Sequence, residues 1–370
     1  MSSISTIVIT GGPSAGKTTA LSWIQNAFTK LGYTVLFVPE TATEFIGGGV
    51  APWTCGTNLE YQRVQMALQL TKERLFLQAA KTMPDENILI VCDRGAMDNR
   101  AYMNDEEFAE LLRRDSYNVV QLRDHYDAVF HLVTAAKGRE EFYTYETNRV
   151  RYETVEQACE IDDKLIAAWT GHPHLRVINN STDFDEKMRR LIAEIRSFLG
   201  EPEPLEIERK FLIEYPDLEW LTSQPHCRKV DITQTYLISL PGETLRVRQR
   251  GENGNYLYYK TTKRHITGLK RIELEERLDA DEYRRLLHEA DPSRHAITKE
   301  RYCLLWDGQY FEIDVFPFSQ DKALLELELS YGYENEEIRF PPQIRVIREV
   351  TDEKRFSNSA IASMEQPSLD

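Results

Sequence analysis

Charged and apolar residues alternate along several segments in the second half of the chain. In the first of these, Glu206, Glu208 and Lys210 occupy every second position, while Ile207 and Phe211 take positions of the other parity. A β-strand sends successive side chains to opposite faces, so this spacing predicts a strand with one charged face and one largely apolar face. A single strand of this kind is typical of an ordinary amphipathic sheet whose charges lie in solvent.

The alternation recurs downstream, and it combines acids with bases. The positions concerned are Arg246 and Arg248, then Arg271, Glu273 and Glu275, then Lys299 and Arg301, then Glu312 and Asp314, and finally Glu326 and Glu328. Such strands form either a sheet with one wet, charged face or a barrel with its charges inside. The mixture of carboxylates and cations favours a charged interior that holds a polyanion together with a divalent cation.

The first half of the chain has a different pattern, in which short apolar runs alternate with helical segments. The apolar runs span residues 6–10, 34–38, 87–92, 128–133 and 176–180. Continuous apolar strands separated by helices indicate a parallel sheet with helices on both faces. We therefore predict an α/β domain over residues 1–199, a stiff acidic and proline-rich linker at 200–204, and an α+β domain with an antiparallel sheet at 205–358.

A phosphate-binding motif directly follows the first apolar run. The pattern GxxxxGK[ST] stands between a strand and a helix, as it must in a P-loop. With the next residue, the segment comprises Gly11, Gly12, Pro13, Ser14, Ala15, Gly16, Lys17, Thr18 and Thr19. The glycines let backbone N–H groups point at phosphates, Lys17 bridges phosphate oxygens, and the Thr18 hydroxyl ligates Mg²⁺. The motif predicts binding of ATP or GTP.

Two acids follow other strands of this predicted sheet. Asp93 comes directly after the buried run at 87–92, where P-loop proteins place a carboxylate that holds Mg²⁺. Glu40 comes shortly after the run at 34–38, at the edge where ligands bind in parallel sheets. It therefore either meets a substrate or metal, or serves as an ordinary loop acid or helix cap.

An arginine pair, Arg149 and Arg151, follows the fourth apolar run. Phosphoryl-transfer enzymes often close an arginine-bearing lid over the phosphates, and this pair stands at the right point in the order for that role. The alternative is a solvated helix with i,i+4 ion pairs, such as Arg149 with Glu153.

Composition and charge bear on partners and surroundings. The chain of 370 residues has a formal net charge of −15, which argues against binding to a nucleic-acid backbone. Its five cysteines lack a CxxC spacing and are typical of reduced thiols. No segment approaches the ~20 apolar residues of a membrane span, and the first residues lack a leader pattern. We expect a cytoplasmic protein, with a loosely held tail at 359–370.

The ordered set of charged strands resembles the CYTH domain of the triphosphate tunnel metalloenzymes, over residues 205–358. The resemblance implies an eight-stranded antiparallel β-tunnel in which basic residues grip a triphosphate and carboxylates hold Mg²⁺ or Mn²⁺. The catalytic residues that it implies are Glu206, Glu208, Lys210, Arg246, Arg248, Lys260, Lys299, Arg301 and Lys354. The metal ligands that it implies are Glu206, Glu208, Asp314, Glu326 and Glu328.

The first half of the chain resembles a group of P-loop proteins. The resemblance lies in the P-loop segment, in residues 38–42 and in the Cys-Asp-Arg-Gly segment at 92–95. This group includes ribosylnicotinamide kinase domains and the N-terminal domain of the TRPL translocation defect protein family. That family also joins a P-loop domain to a CYTH domain, and some of its members are described as GTP binders.

Three hypotheses about function follow from these features. The first is metal-assisted hydrolysis of tripolyphosphate or a nucleoside triphosphate in the tunnel. The second is a P-loop small-molecule kinase of nucleoside type, in which Glu40 accepts a proton from an acceptor hydroxyl and the CYTH domain is regulatory. The third is a non-catalytic, nucleotide-switched module that presents the CYTH domain to an anionic lipid or a protein partner. The sequence gives no oligomeric state.

Overall fold

The computed structural model describes residues 3–138, 154–200, 207–240, 243–267, 270–329 and 337–369, and at residues 3, 207, 263–267 and 270–274 it describes the backbone alone. The chain divides into two compact units, Met1–Ile192 and Ala193–Asp370, and the helix that spans the division, Phe184–Phe198, is counted with the first unit. Most of the segment predicted as a linker, at 200–204, lies outside the described residues, so the exact domain limits stay a prediction.

The first unit alternates strands with helices. Its elements are β1 (Ser3–Gly11), α1 (Lys17–Lys30), β2 (Thr34–Val38), α2 (Thr41–Gly47), α3 (Asn58–Ala80), β3 (Asn87–Asp93), a 3₁₀ helix (Ala96–Tyr102), α4 (Asp105–Arg114), α5 (Val119–Asp124), β4 (Ala128–Leu132), α6 (Val155–Trp169), β5 (Leu175–Ile178) and α7 (Phe184–Phe198). The strands lie in the order β2-β3-β1-β4-β5, and every neighbouring pair is parallel. The predicted parallel α/β fold is confirmed.

The central strands β1, β3 and β4 form because their apolar runs are buried on both sides. All five residues of β4 are buried, and Ile7, Val8 and Ile9 of β1 have no exposed surface. From β1 the chain crosses to β2 on one side and later to β4 on the other, so right-handed crossovers place helices on both faces. The carboxyl ends of β2, β3 and β1 therefore share one edge, which carries the predicted phosphate-binding residues.

The second unit is built mainly of strands. Its elements are β6 (Ile207–Glu214), α8 (Leu218–Ser223), β7 (Cys227–Leu237), β8 (Glu243–Glu252), β9 (Asn255–Thr267), β10 (Lys270–Leu278), α9 (Ala280–Leu286), a 3₁₀ helix (Leu287–Glu289), β11 (Ile297–Trp306), β12 (Gln309–Val315), β13 (Lys322–Leu329), β14 (Val346–Glu349), a 3₁₀ helix (Lys354–Phe356) and α10 (Asn358–Ala362). The strand order is β10-β9-β8-β7-β11-β12-β13-β6-β14, and all pairs are antiparallel. The predicted antiparallel class is confirmed.

The strand number differs from the expected eight. Within the described residues the sheet has nine strands, because the short strand β14 pairs with β6 on the side opposite β13. A register irregularity lies between Val346 and Arg348, where the chain passes along β6. This terminal strand was not visible in the sequence because residues 346–349 lack a clear alternation of charged and apolar positions.

The register places most of the predicted charged residues on one face of the second sheet. Arg301 pairs with Asp314, and Glu326 pairs with both Glu312 and Lys210. Alternation along each strand extends this row across β6, β7, β8, β11, β12 and β13. We call this surface the charged face, and its ionisable members include Glu208, Lys210, Arg246, Arg248, Arg250, Lys299, Arg301, Glu312, Asp314, Glu326 and Glu328.

An apolar cluster lies beside the charged face, where α10 packs. Leu212, Leu324 and Phe356 are buried there with Ile361 of α10. Leu369 joins the same cluster and is only 2% exposed. Part of the predicted tail is therefore a packed helix followed by a buried leucine, because Ile361 and Leu369 complete the apolar contacts of this core.

Candidate functional site

The P-loop of the first unit has the backbone conformation that the motif requires. Gly16 is left-handed, with φ of 92°, at the point where α1 begins. A Cβ at Gly11 would lie 2.2 Å from the carbonyl oxygen of Leu132, so only glycine fits there. The Lys17 side chain is 8% exposed, and its Nζ donates to the Gly11 carbonyl at 3.3 Å. Thr18 and Thr19 are exposed at the start of α1, where an anion would meet the helix N-terminus.

A buried carboxylate fixes the P-loop to the neighbouring strand. Asp162 of α6 accepts backbone N–H bonds on Oδ1 from Gly12 at 3.0 Å and Thr134 at 3.1 Å. The Nε2 atom of His131 lies 3.0 Å from the same oxygen, and Lys137 donates to Oδ2 at 2.9 Å. Burial alone would raise the pKa of Asp162, but His131 and Lys137 hold it well below its usual range. Asp162 is therefore an ionised structural partner of the loop.

Lys187 supports the loop from α7. Its Nζ donates to the carbonyl of Val133 at 2.7 Å, to Oδ1 of Asn180 at 2.7 Å and to the carbonyl of Ala15 at 3.3 Å. Burial lowers the pKa of this lysine to about 8. Sequence reasoning missed both Asp162 and Lys187, since neither lies in a motif. The only sequence signal for either residue is a charged side chain at a position where its helix otherwise turns apolar residues toward the core.

Asp93 lies beside the P-loop at the carboxyl end of β3, where it pairs in register with Ile9 of β1. Burial raises the pKa of its carboxyl group, while the charge of Lys17 opposes that effect. Its Oδ1 atom is buried and has no hydrogen-bond partner among the described residues. Because a buried carboxylate oxygen is costly to leave unpaired, this atom fits the ligand of a cation or of its bound water.

Glu40 and Arg94 form an ion pair next to Asp93. Arg94 Nε donates to Glu40 Oε1 at 2.5 Å, and Thr43 donates to Glu40 Oε2 at 2.7 Å. Glu40 occupies the N-cap position of α2, but its side chain makes no capping bond. Burial would raise its pKa, but Arg94 and Lys17 lower the pKa to about 2. Glu40 is thus an ionised acid at the N-cap position of α2, and both interpretations of its role stay predictions. The predicted lid residues Arg149 and Arg151 lie outside the described residues.

In the second unit, three cations and three acids of the charged face come together. Arg301 donates to Asp314 through Nε at 2.6 Å and Nη2 at 2.7 Å, and to Glu326 through Nη2 at 2.7 Å. Lys299 bonds the second oxygen of Asp314, and Arg301 Nη1 bonds Glu312. Lys210 lies 2.7 Å from Glu326. The sequence left Glu312 out of the predicted site, although it stands at the same alternation as Asp314.

Burial makes these charges interdependent. Lys299, Arg301, Asp314 and Glu326 are all less than 9% exposed. Burial would raise the pKa of Glu326, but Lys210 and Arg301 hold it well below its usual range. Burial, followed by the charge of Arg301, lowers the pKa of Lys299, whereas Glu326 and Glu208 outweigh burial and raise that of Lys210. The cluster is therefore a fixed array of charges in a water-poor site.

A second group of arginines lies along β8. Arg248 donates to both oxygens of Glu275, at 3.0 and 2.8 Å, and its guanidinium lies over the ring of Tyr259. Arg246 pairs in register with Tyr236, and Arg250 is almost fully buried at 2% exposure. Sequence reasoning missed Arg250, although the run of three alternating arginines continues to it. The side chains of Arg271 and Glu273 lie outside those described.

Some predicted site residues do not lie in the cluster of charges around Arg301. Lys260 pairs in register with Val247, which places it on the sheet face opposite Arg246 and Arg248, and its Nζ lies 3.5 Å from Glu276. Lys354 is exposed in the 3₁₀ helix that precedes α10. Glu206 lies outside the described residues. The alternation in the sequence could not reveal the position of Lys260, because no motif fixes which alternate residues of β9 lie on the charged face.

The predicted metal ligands of the charged face are only partly grouped. Glu208 and Glu328 lie directly opposite each other on β6 and β13. Asp314 and Glu326 contact cationic side chains, and Glu208 lies 3.3 Å from Lys210 Nζ. Among the described residues, no group of three or more potential metal-ligating side chains is assembled. The described helices also include none that is long and apolar enough to cross a bilayer.

The chain thus joins an α/β unit with a P-loop to an antiparallel sheet with a face of paired charges. A family model described as an AAA domain matches residues 6–187, and one described as a CYTH domain matches residues 204–345. The chain belongs to the proteins that join an N-terminal AAA domain to a CYTH domain, as the resemblance of its sequence implies.

Solved structures also show similarity to the chain. A structure of the inorganic triphosphatase NE1496 is 33% identical over 43% of this chain and 95% of its own, with a TM-score of 0.31. A second structure of NE1496, described as a hypothetical protein, is 34% identical. The match covers 43% of this chain and 99% of that one, with a TM-score of 0.31. The PH1012 protein from Pyrococcus horikoshii OT3 is 20% identical. The match covers 35% of this chain and 82% of that one, with a TM-score of 0.27. No curated protein matches the chain.

Proposed function

We propose that the CYTH unit hydrolyses a triphosphate, either tripolyphosphate or a nucleoside triphosphate, with the help of Mg²⁺ or Mn²⁺. One observation carries the proposal: the sheet gathers Lys210, Lys299 and Arg301 on one face and fixes them with carboxylates. Like charges this close would repel one another strongly without intervening acids. The acids thus hold the cations in place before a substrate arrives, and preorganised charge of this kind stabilises a phosphoryl-transfer transition state.

The cations and acids have different tasks in this mechanism. Lys210, Lys299 and Arg301, with Arg246 and Arg248 of β8 on the same face, bind phosphate oxygens and orient the chain of phosphates. Arg301 suits this role because its planar guanidinium has five donors and keeps its charge. The outer phosphoryl group is then held in line for attack by water.

The residues that would hold the metal are Glu208 of β6 and Glu328 and Glu326 of β13, with Glu206, which precedes β6 in the sequence. Glu208 and Glu328 are directly opposed in register, and opposed like charges are unfavourable unless a cation shares them. Carboxylate oxygens suit both Mg²⁺ and Mn²⁺. A bound divalent cation would polarise phosphoryl oxygens and lower the pKa of a bound water.

For the first unit, we propose binding of ATP or GTP with Mg²⁺. The support is the P-loop conformation, the buried Lys17, and the unpaired oxygen of Asp93. Thr18 and Asp93 are the residues that would hold the magnesium ion.

The test is phosphate release by the purified chain from tripolyphosphate, ATP and GTP, each with Mg²⁺, Mn²⁺ or EDTA. We expect metal-dependent release from tripolyphosphate that falls at least about tenfold in Glu326→Gln, because Lys210 and Arg301 lose a charged partner. The matched control is Glu300→Gln, since Glu300 lies on β11 on the face opposite Arg301 and pairs with Lys229.

A second variant separates the two units. Lys17→Ala should abolish binding of ATP or GTP, measured by equilibrium dialysis, and leave tripolyphosphate hydrolysis unchanged. Metal-independent release, or no release from any of the three substrates, would overturn the assignment of the CYTH unit. Loss of tripolyphosphate hydrolysis in Lys17→Ala would show instead that the two units act as one.

A further inference from the structure

An exposed aromatic side chain lies against the P-loop. Phe184 is the first residue of α7 and is 44% exposed. A Cβ built on Gly16 would lie 2.6 Å from Cε2 and 3.0 Å from Cζ of Phe184, so the tip of the ring contacts the residue at which α1 begins. A single exposed apolar side chain is ordinary on a protein surface. This one is informative because it borders the proposed phosphate site.

The two sides of the P-loop differ in what they offer to a nucleotide. In the sheet, β3 lies on one side of β1, and β4 with β5 lies on the other. Asp93 ends β3, and its side of the loop is where the metal ion and the terminal phosphate belong. The loop backbone cradles the phosphates nearer the nucleoside. The nucleoside therefore leaves the loop on the side away from Asp93, and α7, which follows β5, brings Phe184 to that side.

The first turn of α7 is held firmly against the P-loop. Asp183 caps the helix, since its Oδ1 accepts from the backbone N–H of Glu186 at 2.8 Å. One turn after Phe184, Nζ of Lys187 donates to the carbonyl of Ala15 in the P-loop at 3.3 Å. The helix that carries the ring is thus fixed to the loop before a ligand arrives. A ligand that contacts the ring then bears little cost for ordering the protein.

The segment between β5 and α7 is closed by its own hydrogen bonds. Oδ1 of Asn179 accepts from the N–H of Ser181 at 3.1 Å and from Nη1 of Arg190 at 2.9 Å. Nδ2 of Asn180 donates to the carbonyls of Thr134 at 2.7 Å and Lys137 at 2.9 Å. Because these amide atoms are bonded within the protein, the exposed ring is better suited than they are to contact a base.

We propose that the ring of Phe184 is a stacking platform for the base of the nucleotide held by the P-loop. The inference rests on the nucleotide binding proposed above for the first unit, and it adds the nucleoside end of that site. Every base has an aromatic face, so a platform of this kind tolerates different polar groups on the edge of the base. Phe184 thus adds affinity for adenine and guanine nucleotides alike and does not select between them.

A packing role for the same ring makes a different prediction. A ring that only covers Gly16 would support the conformation of the loop, and its removal would weaken every phosphate ligand of the loop equally. Stacking acts only on ligands that carry a base. A comparison between a nucleotide and a phosphate ligand without a base therefore separates the two roles.

The experiment is equilibrium dialysis of the full chain with radiolabelled ADP or GDP and Mg²⁺. These diphosphates lack the third phosphate that the proposed hydrolysis requires. Unlabelled pyrophosphate is the probe without a base, and its Kd is measured by displacement of labelled ADP. In Phe184→Ala we expect the Kd for ADP and for GDP to rise about tenfold, the effect of one lost stacking contact. The Kd of pyrophosphate should stay unchanged.

Two further variants sharpen the outcome. Phe184→Trp keeps an aromatic face and should bind ADP as tightly as wild type does. ADP should quench the fluorescence of its added indole, after subtraction of the wild-type signal, and pyrophosphate should not. Phe318→Ala is the matched control, since Phe318 is a 37% exposed phenylalanine of the second unit, and it should leave the Kd for ADP unchanged. Thermal unfolding checks that Phe184→Ala stays folded.

The contrary results are distinct. An unchanged Kd for ADP in Phe184→Ala would show that the base lies elsewhere, and equal weakening of ADP and pyrophosphate would assign the ring a packing role. A loss for ADP or GDP alone would overturn a platform that tolerates both bases. In these cases the proposed nucleotide binding would stand. A wild-type chain that binds neither diphosphate, or binds them no better than Lys17→Ala, would overturn the proposed role of the P-loop and the platform with it.

Discussion

Arg301 and Asp314 lie directly opposite each other on β11 and β12, and the guanidinium donates to both oxygens of a carboxylate that has no exposed surface. The same guanidinium contacts Glu326 and Glu312. One side chain therefore joins three strands of the charged face, β11, β12 and β13.

Replacement of this arginine should weaken the fold as well as the site. Arg301→Ala leaves buried carboxylates without their main partner, and removal of one member of a buried ion pair costs about 3–5 kcal/mol. We expect a loss of this order in the free energy of unfolding, measured by urea denaturation. Arg345→Ala is the control, since its pair with Glu214 is largely exposed and 3.4 Å long. Equal losses in the two variants would contradict a special role for Arg301.

The assignment of basic residues to the two faces of the sheet predicts which of them contribute to triphosphate binding. Arg248 lies on the charged face, and Lys260 lies on the opposite face next to Glu276. Arg248→Ala should therefore raise the KM for tripolyphosphate at least about tenfold, the effect of one lost charge-assisted hydrogen bond. Lys260→Ala should leave the KM unchanged. Initial-rate measurements on both variants decide the matter, and the reverse order of effects would mean that the register of β9 is misassigned.

The P-loop glycines make a prediction about nucleotide binding. Gly11 has φ of 151°, and a Cβ there would come within 2.2 Å of the Leu132 carbonyl oxygen. Gly11→Ala should displace the loop and abolish binding of ATP and GTP in equilibrium dialysis. In contrast, a Cβ at Gly56 would meet nothing within 4 Å, so Gly56→Ala should bind nucleotide like wild type. Normal binding by Gly11→Ala would contradict the described path of the loop.

Lys187 makes a prediction about the pH dependence of stability. Its pKa is about 8 in the folded chain, against an ordinary value of 10.5. Below pH 8 both folded and unfolded chains hold the proton, and the fold bears the cost of a buried ammonium. Between pH 8 and 10.5 the unfolded chain binds more protons, so the free energy of unfolding rises with pH, by at most about 3 kcal/mol from this group.

The measurement is urea unfolding of wild type and Lys187→Met at pH 7, 9 and 10. The stability of wild type relative to the variant should increase with pH, because the variant lacks the titrating group. Other titrations are common to both proteins and cancel in the difference. A difference that stays constant from pH 7 to pH 10 would show that Lys187 keeps an ordinary pKa.

The sequence predicted those parts of the molecule that depend on local pattern. The alternation from Glu208 to Lys210 and from Lys299 to Arg301 predicted strands with a charged face, and the P-loop was recognisable from its glycines and Lys17. These signals lie within a few residues of each other. Their physical basis is the period of a strand or the geometry of a single loop.

Residues whose role depends on distant partners could not be predicted in this way. Asp162 meets Gly12 only because α6 packs behind the P-loop, and Lys187 meets Ala15 only because α7 does. The pairing of Arg94 with Glu40 depends on β2 and β3 being neighbours. The orientation of Lys260 depends on the register in which β9 pairs with β8, and the local sequence does not fix that register.

The position of β6 in the second sheet has a consequence for synthesis of the chain. β6 leaves the ribosome first among the strands of its unit, yet its partners, β13 and β14, leave last. The parallel sheet of the first unit is complete at β5 and can fold while translation continues. β6, in contrast, exposes two unpaired edges until nearly the whole unit has been made. A ribosome stalled before β13 would carry a folded first unit followed by an aggregation-prone strand, a nascent chain that chaperones would be expected to bind.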